Sequence, residues 1–347
     1  MAFFINAKDI GNAYYHGLSD FLEVVDDDVK FNNVKEELNG TFGVTFATEI
    51  FTPVLQKLLC VDSLNEIVTG AHLRFGLKRL KVLNEASTKL IKNIPSYDAR
   101  MSYHTTKDAL STCPLYYPSK GGVGQWTLAL EKKLRDVGVK ILCGRSILGM
   151  DSNDKTIQSL TLDDGVKVNC DILVWTVPLI FLFRAAEIKC KTERPSFVHT
   201  TLFHYVIDQP PLNQNHYLYC YEPNLLPFRV TLYSNLQSVI SANTERHRVT
   251  VEVLSKEALD LENSKKDVWQ DLIKMKLVAK KSNVLFQHTE CIQQGFPKFT
   301  HEFVKSSKYQ YDLAMDSFSN LSIQGKSNTK DWFMNDIFKS IYAEFGK

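Results

Sequence analysis

This sequence of 347 residues lacks most of the short signatures from which a reaction can be read directly. It contains no G-x-S-x-G, no G-x-x-x-x-G-K-[ST], no H-E-x-x-H and no C-x-x-C. Those absences exclude a hydrolase elbow, a Walker-type phosphate loop, a zincin helix and a paired-cysteine redox or zinc centre. His288-Thr-Glu290 is the only H-x-E, and no P-C-x-x-C follows it to complete a deaminase-type zinc site. No metal site is expected. The nearest approach to G-x-G-x-x-G is Gly122-Val-Gly124-Gln-Trp-Thr127, which fails at its last position and follows Tyr-Tyr-Pro instead of an apolar strand. An excess of charge is also missing. A net charge of +2, with Lys and Arg scattered, offers no footprint for nucleic acid or an anionic membrane.

Long apolar runs are equally scarce. The most apolar stretch, Ile172 to Phe183, is interrupted by Pro178 and is too short to span a bilayer. The start, Met-Ala-Phe-Phe-Ile-Asn-Ala-Lys-Asp, has neither the charged beginning nor the apolar core of a signal peptide. The seven cysteines, at 60, 113, 143, 170, 190, 220 and 291, lie far apart and several sit in apolar runs. Reduced, buried thiols in a cytoplasmic protein are the expectation.

What is present describes a globular chain, with 44% hydrophobic and 23% charged residues. Its patterning predicts a mixed α/β fold. A helix is expected around Lys8 to Val25. Phe42, Phe46, Ile50, Val54, Leu55, Leu58 and Leu59 recur at helical spacing, with a break or kink at Pro53. Ser63-Leu-Asn-Glu66 has capping-box spacing and predicts a short helix. From Cys113 a Pro- and Gly-rich loop leads to a helix over Gln125 to Val137, with Leu128, Leu130 and Leu134 apolar and Gly138 as its stop. Val139 to Cys143 reads as a buried strand. Ser146 to Asp151, Thr156 to Asp163 and Val166 to Cys170 read as a meander turning at Asp163-Asp164-Gly165, and Ile172 to Val177 as a strand covered on both faces. A second sheet is expected from Phe197 to Asp208, His216 to Tyr221, Phe228 to Tyr233, His247 to Leu254 and Asn283 to Gln293. A helix over Asp267 to Ala279 interrupts it. A strand over Leu321 to Gln324 and an amphipathic helix from Asp331 to Phe345 close the chain.

Three sets of residues could carry chemistry. Gly121, Gly122 and Gly124 precede a helix, where glycines let backbone approach a ligand and the N-terminus favours phosphate; a plain glycine-rich turn fits the spacing equally well. Tyr217, Tyr219, Tyr221 and Arg229 interleave aromatics with a cation along neighbouring strands, an arrangement shared by substrate layers and by ordinary sheet packing. His72, His199, His204 and His216 are the histidines placed to face a cleft, although a satisfied structural imidazole is the commoner reading of such residues.

Tyr117-Pro118 with Gly121-Gly-Val-Gly124, the helix ending at Gly138-Val139, the hairpin, and Asp171-Ile-Leu-Val-Trp-Thr-Val-Pro178 together resemble one superfamily. It comprises flavin-dependent amine oxidases, protoporphyrinogen oxidases and UDP-galactopyranose mutases. Phe46 to Lys57, Ala71-His72, Asn320-Leu-Ser-Ile-Gln-Gly325 and Trp332 to Asp336 add to the resemblance, which covers most of the chain in order. The resemblance implies a partial FAD-binding, Rossmann-like domain with a second, mixed-sheet substrate domain. It implies a helical region over 1–112, an internal FAD-domain segment over 113–190, a substrate sheet over 191–300 and a return to the FAD domain over 301–347.

For single residues, it implies that Gly121, Gly122 and Gly124 lie on the flavin side of a cleft and that the Ile147 backbone meets adenine. Thr176 and Pro178 would pass near the cofactor, and Gly325 would admit the pyrophosphate. Met334, Asn335 and Asp336 would begin the helix under the flavin ring, and Tyr219, Tyr221 and Arg229 would face a nucleotide-sugar or other small-molecule substrate. Lys326 departs from the acidic residue or Arg found after this glycine in many relatives. The implied activity is that of an FAD-dependent oxidoreductase or sugar-nucleotide mutase. Because the G-x-G-x-x-G unit that opens such folds is absent, the chain is expected to be N-terminally incomplete or degenerate. It would then associate as a homodimer or with a partner subunit. A flavin-free binding or scaffold subunit, or a truncated fragment, are the alternatives.

Overall fold

The computed structural model describes residues 10–24, 29–102, 117–118, 121–192, 195–236 and 246–346. The approach to the glycine loop from Cys113 through Tyr116 lies outside the described residues. The chain forms two compact units, one of 1–132 with 196–298 and the other of 133–195 with 299–347.

The first unit begins with helices α1 (Ile10–Glu23), α2 (Val34–Phe42) and α3 (Thr52–Leu59). A π-turn over Ala47–Phe51 leads into α3, with Pro53 in the first turn of that helix. Proline has no N–H to give, so the widened turn is where the missing bond is absorbed. The apolar face expected from the spacing is buried at Phe42, Phe46, Val54, Leu55, Leu58 and Leu59. Ser63 does not begin a helix. Its hydroxyl accepts from the Asn65 N–H at 3.2 Å, a local turn that competes with helix formation. Two short helices follow, α4 (Glu85–Ile91) and α5 (Pro95–Arg100).

The rest of this unit is an antiparallel sheet of β5 (Phe197–Ile207), β6 (Tyr217–Tyr219), β7 (Pro227–Leu232), β8 (His247–Ser255) and β9 (Val284–Pro297), in the order β6-β7-β8-β5-β9. Helix α8 (Leu261–Lys274) covers one face, packing Val268 and Leu272 on Phe203, Tyr205, Val249, Val251 and Val253. It starts at Asp260, whose carboxylate accepts from the N–H groups of Glu262 and Asn263, several residues before the start expected from periodicity. The Lys57 ammonium ties helices to sheet by donating to the carbonyls of Glu222, Leu225 and Pro227 at 2.7, 2.8 and 3.0 Å.

Helix α6 (Gly124–Asp136) runs across the boundary in sequence between the units, and none of its residues is buried. Its apolar positions Leu128, Leu130 and Leu134 are all exposed. The following segment, Val139 to Cys143, is not the buried strand that its composition suggests. It has no strand partner among the described residues, and Leu142 is 62% exposed.

The second unit holds the expected meander, β1 (Ile147–Asn153), β2 (Thr156–Leu162) and β3 (Lys167–Asn169). Beside it, β4 (Leu173–Trp175) pairs in parallel with β10 (Leu321–Ile323). Helices α7 (Leu179–Ala185) and α9 (His301–Ser317) supply Leu179, Leu182, Phe183 and Ala314 to a core with Leu173, Trp175, Leu321 and Ile323. The Asn320 side chain clips the two sheets together. It accepts from the Ile157 N–H and donates to the carbonyls of Ile157 and Asp171, each at 2.9 Å. The expectation that β4 is covered on both faces fails. Leu173 and Trp175 are buried against α7 and α9, but Val174, which alternation turns to the opposite face, is 46% exposed. Helix α10 (Met334–Phe345) ends the chain, its Glu344 carboxylate accepting from Ser322 and Gln324.

Candidate functional site

Alternation along β8 separates two kinds of side chain. Val249, Val251 and Val253 face the α8 core, which leaves Arg248, Thr250 and Glu252 on the opposite face. Register then sets their neighbours in rows across the sheet. One row runs Tyr217, Thr231, Thr250, His204, His288. The next runs Tyr219, Arg229, Glu252, Leu202, Glu290. On the other side of the first row, Val206 lies opposite both Arg248 and Phe286. The uncovered face of the sheet is thus polar and aromatic at its centre.

Hydrogen bonds fix these side chains. His204 Nδ1 and Thr250 Oγ1 are 2.9 Å apart, and the His204 ring stacks on that of His288 at 6.1 Å between centroids. Arg229 Nε donates to Glu252 Oε1 at 2.6 Å, with a second contact through Nη2. Burial pulls the Arg229 pKa down, but the charge of Glu252 and the Tyr219 hydroxyl outweigh it, so the guanidinium is held above its ordinary value. Tyr219 stacks on Tyr221 at 6.1 Å, and both rings lean on Phe228. The Arg248 guanidinium sits 6.0 Å over the Tyr233 ring.

Over the first row and the Arg248 side lies a cleft of about 600 Å³. Its walls include Tyr117, Gly121, Gly122 and Val123 together with His204, Tyr233, Arg248, Thr250 and Phe286. Gly121 and Gly122 both take positive φ, +75° and +68°, and a Cβ on Gly122 would sit 3.3 Å from the Tyr117 hydroxyl. Glycine is therefore what lets this loop close down beside Tyr117. No carboxylate is among the described lining residues, and Arg248 sets the sign of their charge. One guanidinium, an imidazole, a hydroxyl and several aromatic walls make a receptor for an anion that also carries a planar ring.

The sequence-derived candidates divide between the units. Gly121, Gly122, Tyr219 and Arg229 lie at the cleft or in the adjoining row, and Gly124 starts α6. Tyr221 follows β6 and is buried. Of the four histidines, His204 enters the cleft, His72 is buried against Glu37, His199 is on β5 with a buried ring nitrogen that has no hydrogen-bond partner among the described residues, and His216 is exposed before β6. Thr250, Arg248 and Tyr233 were not singled out from the sequence, although the strict polar–apolar alternation of β8 carries the signal for the first two.

In the second unit, Gly325 (φ +71°) and Thr176 come together, a Cβ on Gly325 lying 3.8 Å from the Thr176 carbonyl oxygen. Gln324 N–H donates to Trp175 O at 2.9 Å and the Ser327 hydroxyl to Val177 O at 3.0 Å, which holds the two segments side by side. Pro178 caps α7, Ile147 opens β1, and Met334, Asn335 and Asp336 form the first turn of α10. Asp336 accepts from the Phe333 N–H, and Lys326 lies 4.3 Å over the Trp332 ring.

These groups fit one side of a flavin site, where bare backbone at Thr176 and Gly325 would admit a flat ligand. They do not fit the whole cofactor, because a pyrophosphate needs a row of N–H donors and the sequence has no glycine-rich strand-to-helix turn to supply it.

No protein-family profile and no curated protein sequence matches the chain. Its structure does find likenesses. That of reduced UDP-galactopyranose mutase matches with a TM-score of 0.66 at 15% identity, over 91% of this chain and 66% of that one. A protein from Exiguobacterium sp. 255-15 assigned as a protoporphyrinogen oxidase matches with a TM-score of 0.58 at 12% identity, over 91% of this chain and 67% of that one. The chain spans about two thirds of the length of each. At these identities the likeness is one of fold: the chain shares the fold of UDP-galactopyranose mutase and of the Exiguobacterium protein.

Proposed function

We propose that the cleft on the sheet of the first unit binds a phosphate-bearing small molecule of the sugar-nucleotide class. The chain would thereby serve as the substrate-binding part of an FAD-dependent oxidoreductase or sugar-nucleotide mutase. The observation that carries this reading is the placement of Arg248, His204 and Thr250 opposite the Gly121–Gly122 loop, in a cleft walled by Tyr117, Tyr233 and Phe286. Arg248 would bind the phosphate as a charge-assisted donor, worth roughly 1.5–3 kcal/mol per hydrogen bond. The aromatic walls would hold a base or sugar ring, and the Arg229–Glu252 pair, fixed beside Tyr219, would set the polar boundary of the site. Flavin, when bound, supplies the redox chemistry. The sequence has no glycine-rich strand-to-helix turn to hold its phosphates, so no step through the flavin is derived.

Calorimetric titration with UDP-galactose tests the reading. Wild type should bind, and Arg248→Ala should weaken binding about 10- to 100-fold, the equivalent of one charge-assisted contact. Absence of binding, or indifference to Arg248→Ala, would sink it. A parallel titration with FAD, followed by flavin absorbance, separates two forms of the reading. Stoichiometric uptake supports a flavin-dependent enzyme. A protein that ignores FAD supports the flavin-free binding or scaffold subunit, which the missing G-x-G-x-x-G favours.

A further inference from the structure

The charges of the cleft and of its proposed ligand do not balance. Among the described lining residues Arg248 is the one permanent cation, whereas both phosphates of a sugar nucleotide are ionised at neutral pH. The other described lining group able to gain a positive charge near neutrality is His204. Its setting suits it to do so. His204 Nδ1 lies 2.9 Å from Thr250 Oγ1, and a hydroxyl can accept from an N–H or donate to a bare nitrogen. The ring therefore keeps this bond in either protonation state. The bond occupies Nδ1, which leaves Nε2 as the donor for a ligand.

The groups around His204 come from four strands and two loops. On β9, His288 stands opposite it, the two rings 6.1 Å apart and 15° from parallel, and Glu290 follows on the same face. On β8, Arg248 and Glu252 flank Thr250, and Glu252 is engaged by Arg229 of β7 at 2.6 Å from Nε. Tyr217 and Tyr219 of β6 lie at the far ends of the two rows, while Tyr117 and Tyr233 wall the cleft. Two stacked imidazolium rings repel, so a proton on one discourages a proton on the other. His288 is not among the described lining residues, so an anion in the cleft decides that competition in favour of His204.

We propose that His204 takes up a proton as the anion binds and becomes the second cationic ligand of its phosphates, with His288 as the competing ring. The inference rests on the reading of the cleft as a phosphate site and adds that binding there is linked to protonation. The sign follows from linkage. Binding favours the protonated ring, so affinity is highest in mild acid and falls as pH rises, levelling off once the ring is neutral in the complex as well.

Calorimetric titration of the full chain with UDP-galactose, in buffers of differing ionisation enthalpy between about pH 6 and pH 8, counts the protons exchanged. The diphosphate of this ligand does not titrate in that range, so any uptake belongs to the protein. Wild type should take up a proton on binding and should bind roughly tenfold more weakly at the upper pH than at the lower. His204→Asn retains an amide beside Thr250; it should bind without uptake, at every pH as weakly as wild type does at the upper one. His288→Gln removes the competing ring and should keep the uptake while moving the pH profile upward. In wild type, the imidazole NMR signals of His204 should change to those of a protonated ring when UDP-galactose is added, a readout independent of how the variants fold. Binding with no proton uptake would overturn this proposal and leave the reading of the cleft intact. Uptake that survives His204→Asn would place the proton elsewhere and overturn it equally, and an unmoved profile in His288→Gln would remove the part given to that ring. No binding at any of these pH values would remove the reading of the cleft itself, and this inference with it.

Discussion

At the scale of single residues, half-buried charge holds the helical part of the first unit together and makes it sensitive to acid. Glu37 on α2 accepts from the Gly70 N–H at 2.6 Å and lies 3.5 Å from the His72 ring. Burial alone would raise its carboxyl. The His72 imidazole beside it and the Gly70 N–H outweigh that, so Glu37 is held below the usual carboxylate range. A carboxyl depressed on folding contributes stability above its unfolded pKa of about 4.3, and that contribution is lost as pH falls through the folded value. Urea unfolding between about pH 5 and pH 3 should therefore show a steep fall in wild type and a shallower one in Glu37→Gln. Equal slopes would show that the pair adds nothing. Lys57, Glu37 and Arg248 share a limit on what sequence can reveal. A lone charged residue in a helix or strand reads as solvated surface until the fold supplies the carbonyls, the imidazole or the cleft that engages it.

Among the elements, legibility followed the strength of local signals. The meander, the strands of the second sheet and the last helix were readable, because alternation, turn residues and helical spacing agreed with the fold. Helix α9 was not anticipated; its apolar positions are sparse, and Thr300, which caps it by accepting from the Phe303 N–H at 3.1 Å, was the available signal. Within the expected meander, the connection from β1 to β2 turns at Asp154 and Lys155, which take positive φ without a glycine. Gly43 shows the reverse case, a residue whose necessity appears only in packing. It has φ +80°, and a Cβ there would lie 2.6 Å from the Asp20 Cβ and 2.8 Å from the Asp20 carbonyl carbon. Neither α1 nor α2 can move away without losing the Phe21, Leu38 and Phe42 core. Gly43→Ala should cost about 3 kcal/mol, from overpacking and a left-handed backbone together. Chemical denaturation measures this, and a loss below about 1 kcal/mol would mean that the two helices slide apart easily.

For the molecule as a whole, the two units differ in how completely their sheets are covered, and that difference explains which expectations failed. Val139 to Cys143 and Ile172 to Val177 have the composition of buried strands, as if a wider parallel sheet surrounded them; the described chain does not provide it. The sequence pattern reported the apolar requirement correctly but not whether a neighbour would be there to meet it. Amide hydrogen exchange should reproduce this contrast. Interior positions of β5 and β8, paired on both sides and packed on α8, should exchange most slowly. Helix α6, with no buried residue, should exchange far faster despite its intact helical bonds. Within β4 the prediction is sharper, because neighbouring residues should differ. The Leu173 amide, bonded to Asn320 O, should be protected, while the Val174 amide one position along should exchange at nearly the rate of an open chain. Equal protection of both in the isolated protein would mean that something already occupies the edge of β4.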